Sequence, residues 1–221
     1  MAFLQEKPME IERRTAGNTA IVLIDYVTGF GGMIGSQTIA QNVAGARALA
    51  QTALAFKVPL VVTMGPELDP RGVIYPELAE QLGDHPIVYR AGSFDAFAFD
   101  GFEQAIAATG VKHLVIGGLM TDGCVMQTSL SALRRDYDVS LVVDASASQT
   151  EIGQQTAIQR LTKYGVNLTT WLSFASELQV SYDNVETVAA FRKIQANSPA
   201  YAMLQSTMAG TMRFAESLRQ A

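Results

Sequence analysis

The sequence predicts a three-layer α/β/α domain, a doubly wound parallel sheet with helices on both faces. Three observations carry that expectation. Apolar, β-branched runs of strand length alternate with segments of helical pattern, the arrangement of repeated β-α units. Several of the runs are apolar almost throughout, as in strands covered on both faces. Gly110 and Gly165 stand where two of the helical patterns end, the place for a helix C-terminus.

The first run, AIVLID (20–25), opens the sheet and ends on an acid. A helical pattern over 37–57 leads to PLVVTM (59–64), and a shorter one over 76–83 leads to IVYR (87–90). Helices over 100–110, 124–136 and 151–164 separate HLVIGG (113–118), VSLVVDA (139–145) and VNLTTWL (166–172). Crossovers between such parallel strands are right-handed. After Trp171 strands cease: SFASELQ, NVETVAAFRKIQ and SPAYAMLQSTMAGTMRFAESLRQ read as helices. The expected organisation is a domain over 1–182 and a helical C-terminal extension over 183–221, rich in Met and Ala, packed on the domain or on a partner subunit. The opening MAFLQEKPMEIERR reads as a short arm without a hydrophobic signal core.

The chain has 221 residues, 48% of them hydrophobic and only 17% charged, with a formal net charge of −5. So few charges point to surface buried in a homo-oligomer. The negative balance argues against a nucleic-acid partner. No apolar run reaches the ~18 residues of a membrane span. One cysteine cannot form an internal disulfide, which makes a reducing, cytoplasmic setting the expectation.

In an open doubly wound sheet, ligands bind outside the carboxyl ends of the strands where the strand order reverses. If six strands take the order 3-2-1-4-5-6, strands 1 and 4 meet there. Their ends carry Asp25 and the turn from Leu119 to Cys124, and strand 3 ends at Arg90. An acid, a thiol and a guanidinium from separate segments then share one crevice. With Thr121 or Asp122 as cap, Cys124 falls in the first turn of a helix, where free backbone N–H groups favour a thiolate and can hold an oxyanion. The turn has the mechanics of a nucleophile elbow. Asp25 is a candidate base for the thiol proton, and Arg90 a permanent cation that holds Asp25 ionised. Each has a plainer reading: a small buried hydrophobe, a loop-ordering acid, an ion-pair arginine. Phe30, Phe94, Phe97 and Trp171 are candidate pocket walls, with core packing as the alternative for each. Glu67 and Asp144 fall at the same edge and receive no role. His85 and His113 belong to the opposite edge, which argues against a Cys-His pair, and the two histidines and one cysteine make a poor metal site.

Taken together, AIVLIDYVTGF, VYRAGSFDAF, VIGGLMTDGCVMQTSLSAL and VSLVVDASAS resemble the isochorismatase-like cysteine hydrolase superfamily over about Thr19 to Gln179. The arginine at position 90, WLSFASEL and the long helical tail resemble its YcaC-like branch. The resemblance implies six parallel strands in the order above, Cys124 as nucleophile and Asp25 as base. It implies a cis bond between Leu119 and Met120 that turns the Met120 N–H, with that of Cys124, toward an oxyanion. It further implies a homo-oligomer, with an octamer as the assembly the family suggests. The family's usual lysine is here Arg90, which leaves Asp25 as the sole proton carrier. Nicotinamidases of the superfamily hold a metal through an Asp-x-His motif after the second strand. MGPELDPRGVIYPEL has no histidine, so neither metal, cofactor nor nicotinamidase activity is expected. Isochorismatases proper lack the cysteine.

The expected function is therefore hydrolysis of a small-molecule amide, or related C–N bond, through a thioester on Cys124. One alternative is a catalytically silent or redox-responsive oligomer with the same fold. Another is dinucleotide binding at GFGGMIGS, which misses G-x-G-x-x-G because position 34 is isoleucine.

Overall fold

The computed structural model describes residues 12–220. The expected arm over 1–14 lies mostly outside the described residues. Its last part is tied down, with Arg13 donating to the Glu177 carbonyl and the Arg14 amide to the Glu177 carboxylate.

A parallel sheet of order β3-β2-β1-β4-β5-β6 forms the middle layer. Its strands are β1 (Thr19–Ile24), β2 (Leu60–Met64), β3 (Ile87–Tyr89), β4 (His113–Leu119), β5 (Asp138–Ala147) and β6 (Asn167–Thr169). The period-two alternation of β1 explains the two faces. Ile21 and Leu23 enter one core, with residues of α2 (Ile39–Phe56, after a short α1, Thr28–Gly31), α3 (Pro76–Leu82), α7 (Trp171–Gln179) and α8 (Val188–Gln195). Ala20, Val22 and Ile24 enter the other, with α4 (Asp100–Ala108), α5 (Met126–Leu133) and α6 (Glu151–Lys163). Every residue of β1 is buried, which is why its sequence is apolar from Ala20 to Ile24.

Local chemistry sets the helix boundaries. Thr38 and Gln41 form a reciprocal capping box that starts α2, and Thr150 caps α6. Gly110 and Gly165 take positive φ, 68° and 94°, in the turns after α4 and α6. The expected strand over 166–172 is shorter than its apolar run. Thr170 accepts a hydrogen bond from the Ser173 amide and starts α7, so Trp171 and Leu172 are helical. The C-terminal extension divides in two. Phe191 and Ile194 of α8 are buried in the domain core, whereas α9 (Pro199–Gln220) is exposed along almost its whole length.

Candidate active site

Strands β1 and β4 are adjacent where the strand order reverses, with Ile24 opposite Gly118. Immediately beyond Ile24 the chain turns. Asp25 has φ 54°, a left-handed conformation that Asp tolerates better than most residues, and the Val27 amide donates to its carbonyl at 2.7 Å. The Asp25 amide is held by the Thr63 carbonyl at the end of β2, and the Arg90 amide by the Met64 carbonyl. The ends of three strands thus stitch two charged residues into place.

Asp25 and Arg90 form a buried ion pair through Oδ2 and Nη2, and both side chains are almost fully enclosed, 3% and 4% exposed. Arg90 Nη1 donates to the Ser93 carbonyl at 2.7 Å. The Cys124 thiol is near enough to this pair for both charges to act on it. The ion pair and the turn that carries Cys124 thus lie at the same edge of the sheet, beyond the carboxyl ends of β1, β3 and β4. The Leu119–Met120 peptide bond that ends β4 is cis.

The electrostatics differ from the sequence expectation. Burial pushes the Cys124 thiol up, to about 12, and the charge of Asp25 and its hydrogen bond push the same way, against the weaker pull of Arg90. The resting sulfur holds its proton. The expected helix cap is also absent. Residues Thr121–Val125 form one wide π-turn in which Gly123 leaves helical geometry and no side chain caps the end. The Gly123 and Val125 amides both donate to the Met120 carbonyl, and Thr121 Oγ1 is buried without a partner. Burial outweighs the turn's local dipole. Burial likewise raises Asp25 above the ordinary carboxylate value, with Arg90 the largest influence in the other direction. Arg90 alone does not set its ionisation.

Cys124 faces a cavity of about 470 Å³ lined by Phe30, Met33, Phe94, Met120, Gln127 and Gln149, among others. Asp25 and Arg90 are not on its wall. Phe30 and Phe94 thus stand where the pocket reading put them, and Phe94 is 69% exposed at the rim. Phe97 and Trp171 do not. Phe97 is buried edge-on against Phe102. Trp171 opens α7 and lines a separate cavity with Asp144, whose carboxylate accepts its amide. Gln127, Gln149 and Met33 were missed. They come from a helix face and two loops, and no local pattern marks them.

The histidines lie away from this crevice. His85 contacts the Leu60 carbonyl at the other end of β2. His113, at the start of β4, contacts Ser140 Oγ and is pushed by burial down to about 3. Among the described residues, no group of three His, Cys, Asp or Glu side chains could hold a metal ion. Nor, among them, is any helix long and apolar enough to cross a membrane.

Comparison with known proteins agrees with this architecture. YcaC of Escherichia coli (strain K12) is 33% identical over 78% of this chain and 83% of its own. The crystal structure of the E. coli YcaC gene product, an octameric hydrolase of unknown specificity, superposes with a TM-score of 0.85 at 30% identity, covering 93% of this chain and 100% of that one. YcaC from Pseudomonas aeruginosa, solved with hexane-2,5-diol and covalent acrylamide, gives 0.84 at 31% identity over 90% and 98%. The isochorismatase domain model matches residues 19–173. The chain belongs to the isochorismatase domain family, in its YcaC-like branch.

Proposed function

We propose that this protein is a cysteine hydrolase that cleaves a small amide, or a related C–N bond, through a thioester on Cys124, without a metal. The observation that carries the proposal is the convergence of the Cys124 thiol, the Asp25 carboxylate and the Arg90 guanidinium behind one open cavity. Its relatives support it. YcaC of E. coli is an octameric hydrolase, and the Pseudomonas protein carries covalent acrylamide, an electrophile that nucleophilic side chains attack.

The resting protonation states shape the mechanism. With the thiol at about 12, a free thiolate is scarce at neutral pH. The proton passes from Cys124 to Asp25 as the sulfur attacks the substrate carbonyl, in one general-base step. Asp25, raised by burial, is a stronger base than an exposed carboxylate. The Met120 and Cys124 amides receive the oxyanion, each such donor contributing about 3–4 kcal/mol. Asp25 then gives its proton to the departing amine, and afterwards takes one from the water that hydrolyses the thioester. Arg90 carries no proton in this cycle. It holds the carboxylate in place and balances the negative charge that moves from Asp25 to the tetrahedral intermediate and back.

The working unit in this reading is a homo-oligomer in a reducing, cytoplasmic setting, with α9 as partner-facing surface. Met203, Met208, Met212, Phe214 and Leu218 are each more than half exposed on α9, an unusual load for a free helix. The raised thiol and the arginine in place of lysine favour a second reading, a silent member of the fold. A panel of small amides, with ammonia or amine release as readout, decides between them. Turnover that Cys124→Ala abolishes supports the hydrolase. No turnover anywhere in the panel favours the silent assembly, and turnover that survives the substitution eliminates the thioester.

A further inference from the structure

Arg71, in the loop between β2 and α3, is a second cation beside this site. Its guanidinium carbon lies 4.8 Å from the ring centroid of Phe30; Phe30, though not Arg71 itself, lines the cavity that Cys124 faces, whose wall also carries Asp122. Nε and Nη2 donate to the two carboxylate oxygens of Asp69, both at 2.7 Å, and the Arg71 amide donates to Asp69 Oδ1 at 2.9 Å. That pairing uses one edge of the guanidinium. Nη1 donates to no other described residue.

The surrounding chain is shaped around this side chain. Gly65 directly follows β2, and a Cβ there would come within 2.3 Å of both Arg71 Nη2 and Asp69 Oδ2. Strand β2 lies between β1 and β3, so the guanidinium stands over the carboxyl end of the strand that separates Asp25 from Arg90. Gly72 takes φ 112°. The Gly29 amide donates to the Arg71 carbonyl and the Thr28 amide to the Val73 carbonyl, both at 2.8 Å. The loop is thereby fastened to α1, the helix that presents Phe30. An arginine whose side chain is 44% exposed is thus held by an ion pair, an aromatic face and a backbone that leaves no room for a side chain beneath it. Such fixing lowers the ordering cost of gripping an anion. Its charge is felt at the catalytic acid, where it favours the carboxylate form.

We propose that Arg71 is the anchor of an anion subsite, and that the preferred substrates are small amides carrying a carboxylate at the end remote from the scissile bond. The proposal rests on the hydrolase reading and specifies its substrate class. Arg71 would take the carboxylate through its free edge while the amide carbonyl reaches Cys124 across the face of Phe30. The chain as a whole carries a net charge of −5, so attraction for an anion has to be local. Arginine suits a carboxylate because its planar donors match the two oxygens.

The test compares charged and uncharged isosteres in two assays. The first is kcat/KM for ammonia release from succinamate against 4-methylpentanamide. The second is alkylation of Cys124, read by intact mass, with N-(2-carboxyethyl)maleimide against N-isopentylmaleimide. In the wild-type protein the carboxylate form is favoured in both, after correction for each reagent's rate with a free thiol. Arg71→Met lowers that preference roughly tenfold, the scale of a lost charge-assisted hydrogen bond, and Arg71→Lys keeps part of it. A preference unchanged in Arg71→Met in both assays overturns the subsite and leaves the thioester reading standing. Amide turnover that survives Cys124→Ala removes the thioester reading instead, and the maleimide ratio alone then decides the subsite.

Discussion

Arg90→Met isolates the energetics of the buried pair. Asp25 and Arg90 are 3% and 5% exposed, so neither charge has water to fall back on. Removing one partner of a pair in such surroundings costs about 3–5 kcal/mol, because the other is left buried and uncompensated. The Ser93 carbonyl also loses the donor it now has at 2.7 Å. A domain stable by about 5–15 kcal/mol would lose a large part of its margin. The pH dependence has a definite sign. Burial already raises Asp25 above its ordinary 3.8, and Arg90 is the largest influence holding it down. Without Arg90 the folded-state value climbs further, while the unfolded chain keeps the ordinary one. Between the two values the folded variant holds a proton that the unfolded chain has released, so its stability rises as pH falls. The deficit of Arg90→Met is therefore larger at pH 7.5 than at pH 4.5. Urea denaturation followed by Trp171 fluorescence, at one fixed protomer concentration, measures it. Replacing both partners, Asp25→Leu with Arg90→Met, recovers most of the loss, since an apolar pair leaves nothing to compensate. A single-variant deficit below about 1 kcal/mol, equal at both pH values, would refute the argument that this pair is desolvated and mutually dependent.

Three further outcomes follow from the same geometry. His113 is held neutral, down to about 3, by burial; its folded value lies below the unfolded one, so the stability it confers is lost as pH falls below about 6.5, at up to about 1.4 kcal/mol per pH unit. His113→Leu should flatten that limb of a urea-midpoint-against-pH curve, and an unchanged slope would show that the ring is not excluded from water. Phe97→Ala lowers stability by about 3–5 kcal/mol through the cavity it leaves, yet leaves KM for the best amide near the wild-type value; a KM change larger than the stability effect would return Phe97 to the pocket wall. Deleting residues 199–221 reduces the number of subunits per assembly, read by size-exclusion chromatography with light scattering against the truncated protomer's mass, and an unchanged number would show that α9 holds no subunits together.

Much of the fold is legible because burial on two faces writes itself into β1, β2 and β4 as runs that are apolar almost throughout. The site is legible for a topological reason. Once the strand order is known, Asp25, Arg90 and Cys124 fall at one edge, although 34 residues separate Arg90 from Cys124 and 65 separate Asp25 from Arg90. What stayed hidden depends on side-chain packing. Trp171 extends an apolar run that looks like strand, and only the Thr170 cap ends it. The state of the Cys124 thiol is decided by the depth at which the turn places it and by the sign of its neighbour, neither of which spacing reports. Arg71 carries no motif at all. Its position becomes meaningful through Phe30, Asp69 and Gly65, which meet it only in the folded chain.

The most direct measurement is a pair of rates on Asp25→Asn. In the folded protein the Asp25 charge and its hydrogen bond both hold the proton on sulfur. Removing that charge leaves Arg90 unopposed beside Cys124, so alkylation by iodoacetamide at pH 8 becomes several-fold faster. Amide turnover moves the other way and falls by roughly 10²–10⁴, because the base is gone. Opposite changes in the two rates are the signature of a thiol and an acid that share one proton for catalysis. If alkylation is no faster in Asp25→Asn while amide hydrolysis continues undiminished, Asp25 is not the base for Cys124.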